Sequence, residues 1–489
     1  MSVPWVGFQT SIDPTIYSDE YFKLLEDIFG IAHDHELKVI LRIGYTHEIG
    51  ITSTPDHYTR VVSIFSNPKI LTAWQDYLLR LNTMATKYDN FQFGFLTWED
   101  FFLVQLTQIS ENERLNLAAT LGFTDYIKKY PLIKISGYYK RDFQHYSQVP
   151  LPSSNSPAIP LLHEFWDTFL LKLHRESKKY FQKLSMEVRV DCDPSPGSTD
   201  WICHDKTFDI GNNSDTTLIY FSPAWGAENK GRADSAEQVL TRLNSLLETI
   251  RKSTNNSIFI DQFNFVDNTP GFGGNNKINP AELPKFIEKS LGILSTKTIG
   301  YALWTMNDVV GNCLINGSFE RGDAGWKINN GTIYFDQLRK ESELILSNGG
   351  NLEQNFLLED FVNPGLSFTL TFNAASQAEN PVELAIQIID KQGLPKFQRT
   401  LTISVPGFSA LQLTDIPLIA DGTLRINNRN GAILLDNIEL YYRVQENGIY
   451  DIHGHPRPFR DATLALNKAL TAPGRNLVTK GQTISIPRR

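Results

Sequence analysis

Cysteine is nearly missing: three occur in 489 residues, Cys192, Cys203 and Cys313. That is no disulfide framework; Cys192 and Cys203 either pair across one loop or stay as thiols. Neither CxxC nor HExxH occurs, which argues against a structural or catalytic zinc, and no metal is expected at a catalytic centre. No run approaches the ~20 apolar residues of a membrane span. The start, MSVPWVGFQTS, lacks the basic and apolar regions of a signal peptide. The location stays open: cytoplasmic, or secreted or periplasmic if a leader has been removed. Positive charge is in deficit, with 46 Lys and Arg against 54 Asp and Glu and a net charge of −8. Nucleic acid and anionic membrane are poor partners for such a chain. No Gly-rich phosphate loop follows any strand-like run, so a doubly wound nucleotide-binding sheet is disfavoured.

Aromatic residues, by contrast, are plentiful at 11%, with 8 Trp, 18 Tyr and 30 Phe. Sugar-binding proteins need them, because pyranose faces stack on rings; large β-rich cores also use Phe, so composition alone leaves the point undecided. The length and the 41% of apolar residues call for two or more domains, each with its own core.

Over the first 310 or so residues, short apolar runs alternate with helix-like segments, the rhythm of βα units and a parallel sheet. Strands are expected at Trp5–Ile12, Leu37–Tyr45, Phe91–Glu99, Met186–Asp191, Thr217–Pro223, Ser257–Phe265 and Thr298–Thr305. Helices are expected at Glu20–His35, Pro68–Lys87, Leu161–Leu184, Ser235–Lys252 and Pro280–Leu294. The strands end in RIGYTHE, TWED, VDCDP, FSPAWG, DQFNF and WTMND, polar and aromatic endings of the kind that build the catalytic face of a barrel. From about Cys313 the texture turns to short β-like runs bounded by Gly, Asn, Pro and Asp, as in a sandwich. NGIYDIHGHPRPFRDATLALNKAL is then helical again. The expected fold is an α/β (β/α)8 TIM barrel with an all-β jelly-roll sandwich inserted between strand 8 and helix 8. Its parts are 1–312 (barrel), 313–443 (β-sandwich), 444–471 (last barrel helix) and 472–489 (tail). Seven barrel strands are found and Trp5–Ile12 looks like the second of the set. The first is either absent or supplied by the tail run Thr483–Ile486, which would make the barrel circularly permuted.

Cleaving a glycosidic bond with retention takes two carboxyl groups about 5–5.5 Å apart, one protonated and one ionised. On such a barrel the ends of the fourth and seventh strands face each other. The matching runs are Phe91 to Asp100 and Ser257 to Asn264. This pattern resembles the large clan of retaining (β/α)8 glycoside hydrolases that includes cellulases, β-mannanases and β-xylosidases, over roughly residues 5–310 and 445–471. The resemblance implies a polysaccharide or oligosaccharide substrate and puts the acid/base at Glu99. It puts the nucleophile at Gln262, where this chain has an amide in place of the clan's Glu. Trp304 matches the clan's strand-8 Trp beneath the sugar, and Gly448, Ile449, Tyr450 and Asp451 match its lead-in to helix 8. Trp98 stands where the clan has Asn, so Asp100 or another group would have to contact the sugar 2-hydroxyl.

Three accounts of Gln262 stand together. It is an engineered Glu→Gln change in a dead hydrolase; or Asp261 serves instead, although neighbours on a strand point to opposite faces; or the protein is a catalytically silent glycan binder. Arg42, Tyr45 and His47 either line the sugar subsites or order the barrel mouth. Trp225 is a sugar platform or loop packing, Tyr220 approaches the nucleophile position, and Asn264, with Trp98 and Asp261, is a substrate-binding candidate. A transglycosylase on the same scaffold is the weakest alternative. The run Leu314 to Glu320, with Gly322, Gly325 and Trp326, resembles the jelly-roll carbohydrate-binding modules that accompany such barrels. The resemblance implies a structural calcium there, with Glu320 and Asp436 as candidate ligands; no other cofactor is expected.

Overall fold

The computed structural model describes residues 2–44, 55–96, 106–107, 109–188, 193–194, 201–202, 216–224, 231–266, 276–337, 341–358, 367–378, 380–404, 407–451, 454–471, 476–479 and 482–485. Two compact units form: residues 1–306 with 456–489, and residues 307–455.

The first unit is built on a parallel sheet of seven strands. They are β1 (Ser2–Val3), β2 (Val39–Ile43), β3 (Phe91–Leu96), β4 (Leu184–Val188), β5 (Thr216–Phe221), β6 (Ser257–Phe263) and β7 (Gly300–Leu303), paired in that order. Helices alternate with them: α1 (Asp19–Asp34), α2 (Pro68–Ala85), α3 (Ile159–Lys178), α4 (Ala236–Ser253) and α5 (Leu283–Lys297). Their ends follow sequence chemistry. Ser18 and Asn67 cap α1 and α2, and Ser235 with Gln238 makes a full capping box on α4, satisfying amides that have no partner inside a helix. Among the described residues between β3 and α3 lie the helices Glu111–Leu121, Phe123–Ile127 and Leu132–Tyr139.

Side-chain contacts tell the two faces of the sheet apart. Phe286 of α5 stacks on Phe221 and Phe263 at 6.5 and 5.9 Å, and Phe29 of α1 meets Phe91 at 6.2 Å; these strand residues face the helices. A register shift leaves Gln92 as an extra residue after Phe91, and beyond it Phe93 of β3 and Phe259 of β6 meet on the other face, ring centroids 5.8 Å apart. In a flat sheet three strand spacings of ~4.8 Å would hold them much farther apart, so the sheet curls with these rings on its concave side. No pairing between β7 and β1 occurs among the described residues.

Two expectations are corrected. Trp5–Ile12 is not a sheet strand: Ser2–Val3 takes that place beside β2. Trp5–Phe8 forms a helical turn, and Gln9–Ile12 folds back on Thr15–Tyr17. Pro4 stands at the N-cap of that turn, Phe8 N donates to its carbonyl at 3.2 Å, and the Trp5 indole donates to Gln9 Oε1 at 2.7 Å. Local bonds thus win over an extended chain. The tail run does not complete the sheet either, since Gln482–Ser485 pairs antiparallel with Asn476–Thr479.

Helix α6 (Arg460–Thr471) returns to the first unit and packs on α5. Phe459 meets Phe265 at 5.9 Å, and the Tyr301 hydroxyl of β7 donates to Asn467 Oδ1 at 2.5 Å. Burial raises the Tyr301 pKa further above its ordinary value. Between β7 and α6 in the chain lies the whole second unit.

That unit is an antiparallel sheet that wraps around its own core. Its strands are β8 (Val309–Asn312), β9 (Lys327–Asp336), β10 (Glu341–Leu357), β11 (Phe368–Ser376), β12 (Val382–Asp390), β13 (Pro395–Ile403), β14 (Ser409–Ile416), β15 (Asp421–Asn428) and β16 (Ile433–Gln445). They run in the order β13-β12-β15-β10-β16-β11-β14, with β8 added on β16 and β9 on β10. The long β10 switches partner midway: Leu344–Leu346 pair with β16, and Asn351–Leu357 pair with β15. Between them Gly349 has φ +75°, and a Cβ on Gly350 would lie 2.6 Å from the Asn330 carbonyl oxygen, so glycine makes the crossing. Leu344, Leu352, Phe372, Ile386, Leu424 and Leu435 lie in the shared core.

The two ends of this unit are tied together. β8 pairs with β16, Asp308 N donates to Tyr450 O at 3.1 Å, and Gly448 N donates to Asp308 Oδ1 at 2.9 Å. Joined ends are the condition under which a domain inserts into another at little cost.

Candidate functional site

Alternation along the strands assigns the concave residues. A Cβ on Gly94 would meet Ile43 Cδ1 at 2.7 Å and Phe181 at 2.9 Å, so Ile43 faces the helices and Arg42 faces inward, level with Phe95. On β4 the inward residues are Ser185, level with Phe95, and Glu187, level with Leu218. Leu218 is level with Phe259, the ring already placed inside.

Strand β6 breaks its alternation at the decisive point. Ile260 pairs with Ile219 and Gln262 with Tyr220, which leaves Asp261 as an extra residue in a β-bulge. Such a bulge re-aims the side chains beyond it on the strand. A regular strand would turn position 261 inward and 262 toward the helices. With the bulge, Gln262 shares the concave face with Tyr220, and Phe263 faces α5. Gln262, Tyr220 and Asp261 are all buried, and Asp261 sits within the bulge itself.

The stagger between strands sets which of these residues share a level. Gly94 pairs with Leu184, Met186 with Thr217, and Thr216 with Ser257. Counting back along that register, Phe93 falls level with position 255, four residues before the Phe259 ring it touches. Three strand steps therefore carry a stagger of about one residue each, as in barrels of eight strands. Two steps on from Arg42 and its partners Phe95 and Ser185, the same level holds Glu187. Two steps on from Glu187 and its partners Leu218 and Phe259, allowing for the bulge, it holds Gln262. Arg42, Glu187 and Gln262 thus form one layer, drawn from alternate strands, with relative exposures of 7%, 6% and 8%.

Glu187 was missed in the sequence, where it reads as one charge in MEVRVD. Its signal is a carboxylate at an inward parity between Met186 and Val188. Near the strand ends, Trp304 is half-buried, its amide donates to Phe263 O at 3.4 Å, and the Trp304–Thr305 peptide is cis. Asn264 N donates to Phe221 O at 2.9 Å, while its buried Oδ1 has no hydrogen-bond partner among the described residues. An inner ion pair braces the loop after β5: Arg242 of α4 donates to Asp234 Oδ2 at 2.6 Å and to Pro223 O at 2.8 Å. The remaining candidates, Tyr45, His47, Trp98, Glu99, Asp100 and Trp225, lie outside the described residues.

In the second unit Glu320 accepts from the Ser342 amide at 2.7 Å, and buried Asp436 accepts from the Asn437 amide at 2.7 Å. No group of three or more His, Cys, Asp or Glu that could hold a metal occurs among the described residues. No helix among the described residues is long and apolar enough to cross a membrane.

No family model matches the chain, and no curated protein matches it. Solved structures do. A family 5, subfamily 18 glycoside hydrolase from Bifidobacterium longum, in complex with Manβ1-4GlcNAc, is 13% identical, with a TM-score of 0.38 over 63% of this chain and 60% of that one. A family 61 carbohydrate-binding module in complex with β-1,4-galactotriose is 15% identical, with a TM-score of 0.22 over 27% of this chain and 99% of that one. An arabinose-bound family 51 α-L-arabinofuranosidase is 11% identical, with a TM-score of 0.23 over 27% of this chain and 26% of that one. At such identities and scores, neither ligand nor reaction carries over from these proteins to this one.

Proposed function

We propose that this chain is a glycan-binding protein on the scaffold of retaining (β/α)8 glycoside hydrolases, with the hydrolytic site altered at the nucleophile. The observation that supports the reading is the register shift of β6 at Asp261, which pairs Gln262 with Tyr220. In the reaction of that scaffold, a carboxylate at 262 attacks the anomeric carbon and forms a glycosyl ester. Glu99 protonates the leaving oxygen, then takes a proton from the water that hydrolyses the ester. An amide at 262 has no anionic oxygen to form that ester, so the chain binds its oligosaccharide and leaves it intact. Trp304 offers a ring for a pyranose face, and the buried Oδ1 of Asn264 is an acceptor for a sugar hydroxyl. On this reading the curled sheet is the greater part of a (β/α)8 barrel, and the second unit is a carbohydrate-binding-like module.

Gln262→Glu is the test. Against a panel of oligosaccharides, the unaltered chain is expected to bind without turnover, and Gln262→Glu to release product with retained anomeric configuration. Glu99→Gln in that background is expected to remove at least ~100-fold of the gain. A Gln262→Glu protein that cleaves none of the glycans bound by the parent would leave a pure receptor, the second reading. Binding of no glycan at all would end both.

A further inference from the structure

Ser222, Asn264 and Trp304 are the residues that directly follow β5, β6 and β7. Asn264 N donates to Phe221 O at 2.9 Å, and Trp304 N donates to Phe263 O at 3.4 Å. In a parallel ladder such bonds set the three residues on one level, side by side. The phenylalanines around them fix the facing of the first two. Phe221, Phe263 and Phe265 meet Phe286 of α5 at 6.5, 5.9 and 6.4 Å, so these rings turn to the helices. Ser222 and Asn264, which alternate with them, turn to the concave face.

Both are deeply buried, with relative exposures of 1% for Ser222 and 3% for Asn264. Most buried polar atoms in folded proteins have a partner, but Asn264 Oδ1 has none among the described residues. Ser222 Oγ accepts from the Ala224 amide at 3.2 Å, which leaves its hydroxyl proton to donate. An acceptor in want of a proton and a donor thus lie one strand spacing apart, ~4.8 Å. A group that both gives and takes a proton satisfies the two together. A hydroxyl does this, whereas an ionised carboxylate only accepts and finds in Ser222, Asn264 and Trp304 no positive charge to offset its burial.

We propose, on the reading of this face as a glycan site, that Ser222 and Asn264 form its hydroxyl-reading pair and select a neutral saccharide over an acidic one. Asn264 is the specificity-determining residue of the two. Its amide is held buried at a cost in stability, and a ligand hydroxyl donating to Oδ1 offsets that cost on binding.

Two measurements on the full chain separate this role from packing. Without glycan, Asn264→Leu, which keeps the shape and removes the unpaired oxygen, is expected to raise the Tm of the unit holding the parallel sheet by ~2 °C or more. Titration calorimetry is then run with cellotetraose, mannotetraose, xylotetraose and tetragalacturonate. The parent is expected to bind at least one of the three neutral chains, and tetragalacturonate not at all. Toward the neutral chain bound by the parent, Asn264→Leu is expected to raise Kd ~10-fold or more, and Ser222→Ala ~5-fold.

A lower Tm for Asn264→Leu, or a chain that no longer folds, overturns the proposal, because the amide then serves the fold. Tetragalacturonate bound as tightly as the neutral chains overturns it as well. A neutral chain bound equally by the parent and both variants removes only this pair and leaves the proposed function standing. A parent that binds no glycan ends both.

Discussion

Glycine positions in the second unit separate two physical costs that sequence alone cannot tell apart. A Cβ on Gly317 would lie 1.9 Å from the Ile438 carbonyl oxygen, a backbone atom that cannot swing aside. On Gly322, with φ +61°, a Cβ would meet nothing within 4 Å, so only the left-handed backbone opposes a side chain. Gly317→Ala is expected to destabilise this unit by ~3 kcal/mol, and Gly322→Ala by ~1 kcal/mol. Urea unfolding followed by the signal of buried Trp326 reads both; equal costs would show that close approach is not what Gly317 serves. At the candidate site, Gln262 and Asp261 are consecutive in the chain, and the register shift between Ile260 and Gln262 pairs Gln262 with Tyr220.

Among the elements, α4 links local chemistry to the site. Ser235 accepts from the Gln238 amide, and Gln238 Oε1 accepts from the Ser235 amide at 2.9 Å. One turn on, Arg242 holds both Asp234 and the loop after β5. Removing the cap by Ser235→Ala is expected to cost ~1 kcal/mol, and hydrogen exchange should show faster opening in the first turn of α4 with β6 unaffected. Protection lost equally in both elements would mean that the helix does not open on its own. The strand elements β2 to β7 were legible as apolar runs, because β2 to β6 are buried along most of their length and keep their Val, Ile, Leu and Phe. Along strand β14 only Leu413 and Ile416 are buried, too few for a legible pattern. Trp5–Ile12 misled for the opposite reason, its apolar residues filling a turn and a hairpin in place of a sheet strand.

For the molecule as a whole, chain order and unit order differ: residues 307–455 form a unit inside the chain of the other. Its ends are joined by β8 on β16 and by the Asp308–Gly448 hydrogen bond, and its core is drawn from its own strands. Residues 307–455 expressed alone are therefore expected to unfold cooperatively on heating, with a β-rich circular dichroism spectrum. A chain without a thermal transition would show that the unit depends on the rest of the protein.

Much of this protein is written in local chemistry. Alternating apolar runs, capping residues and the change of texture near residue 313 determined where strands and helices form and that an all-β segment interrupts an α/β one, because burial and hydrogen-bond satisfaction act over a few residues at a time. The places of positions 42, 220, 262 and 304 at or near strand ends were readable. What only the tertiary structure decided was level and facing. The Asp261 bulge, the stagger of about one residue per strand, and the curl that brings Phe93 to Phe259 together put Glu187 into one layer with Arg42 and Gln262. Register between strands that are far apart in the chain is set by packing across the whole sheet, and no short stretch of sequence encodes it.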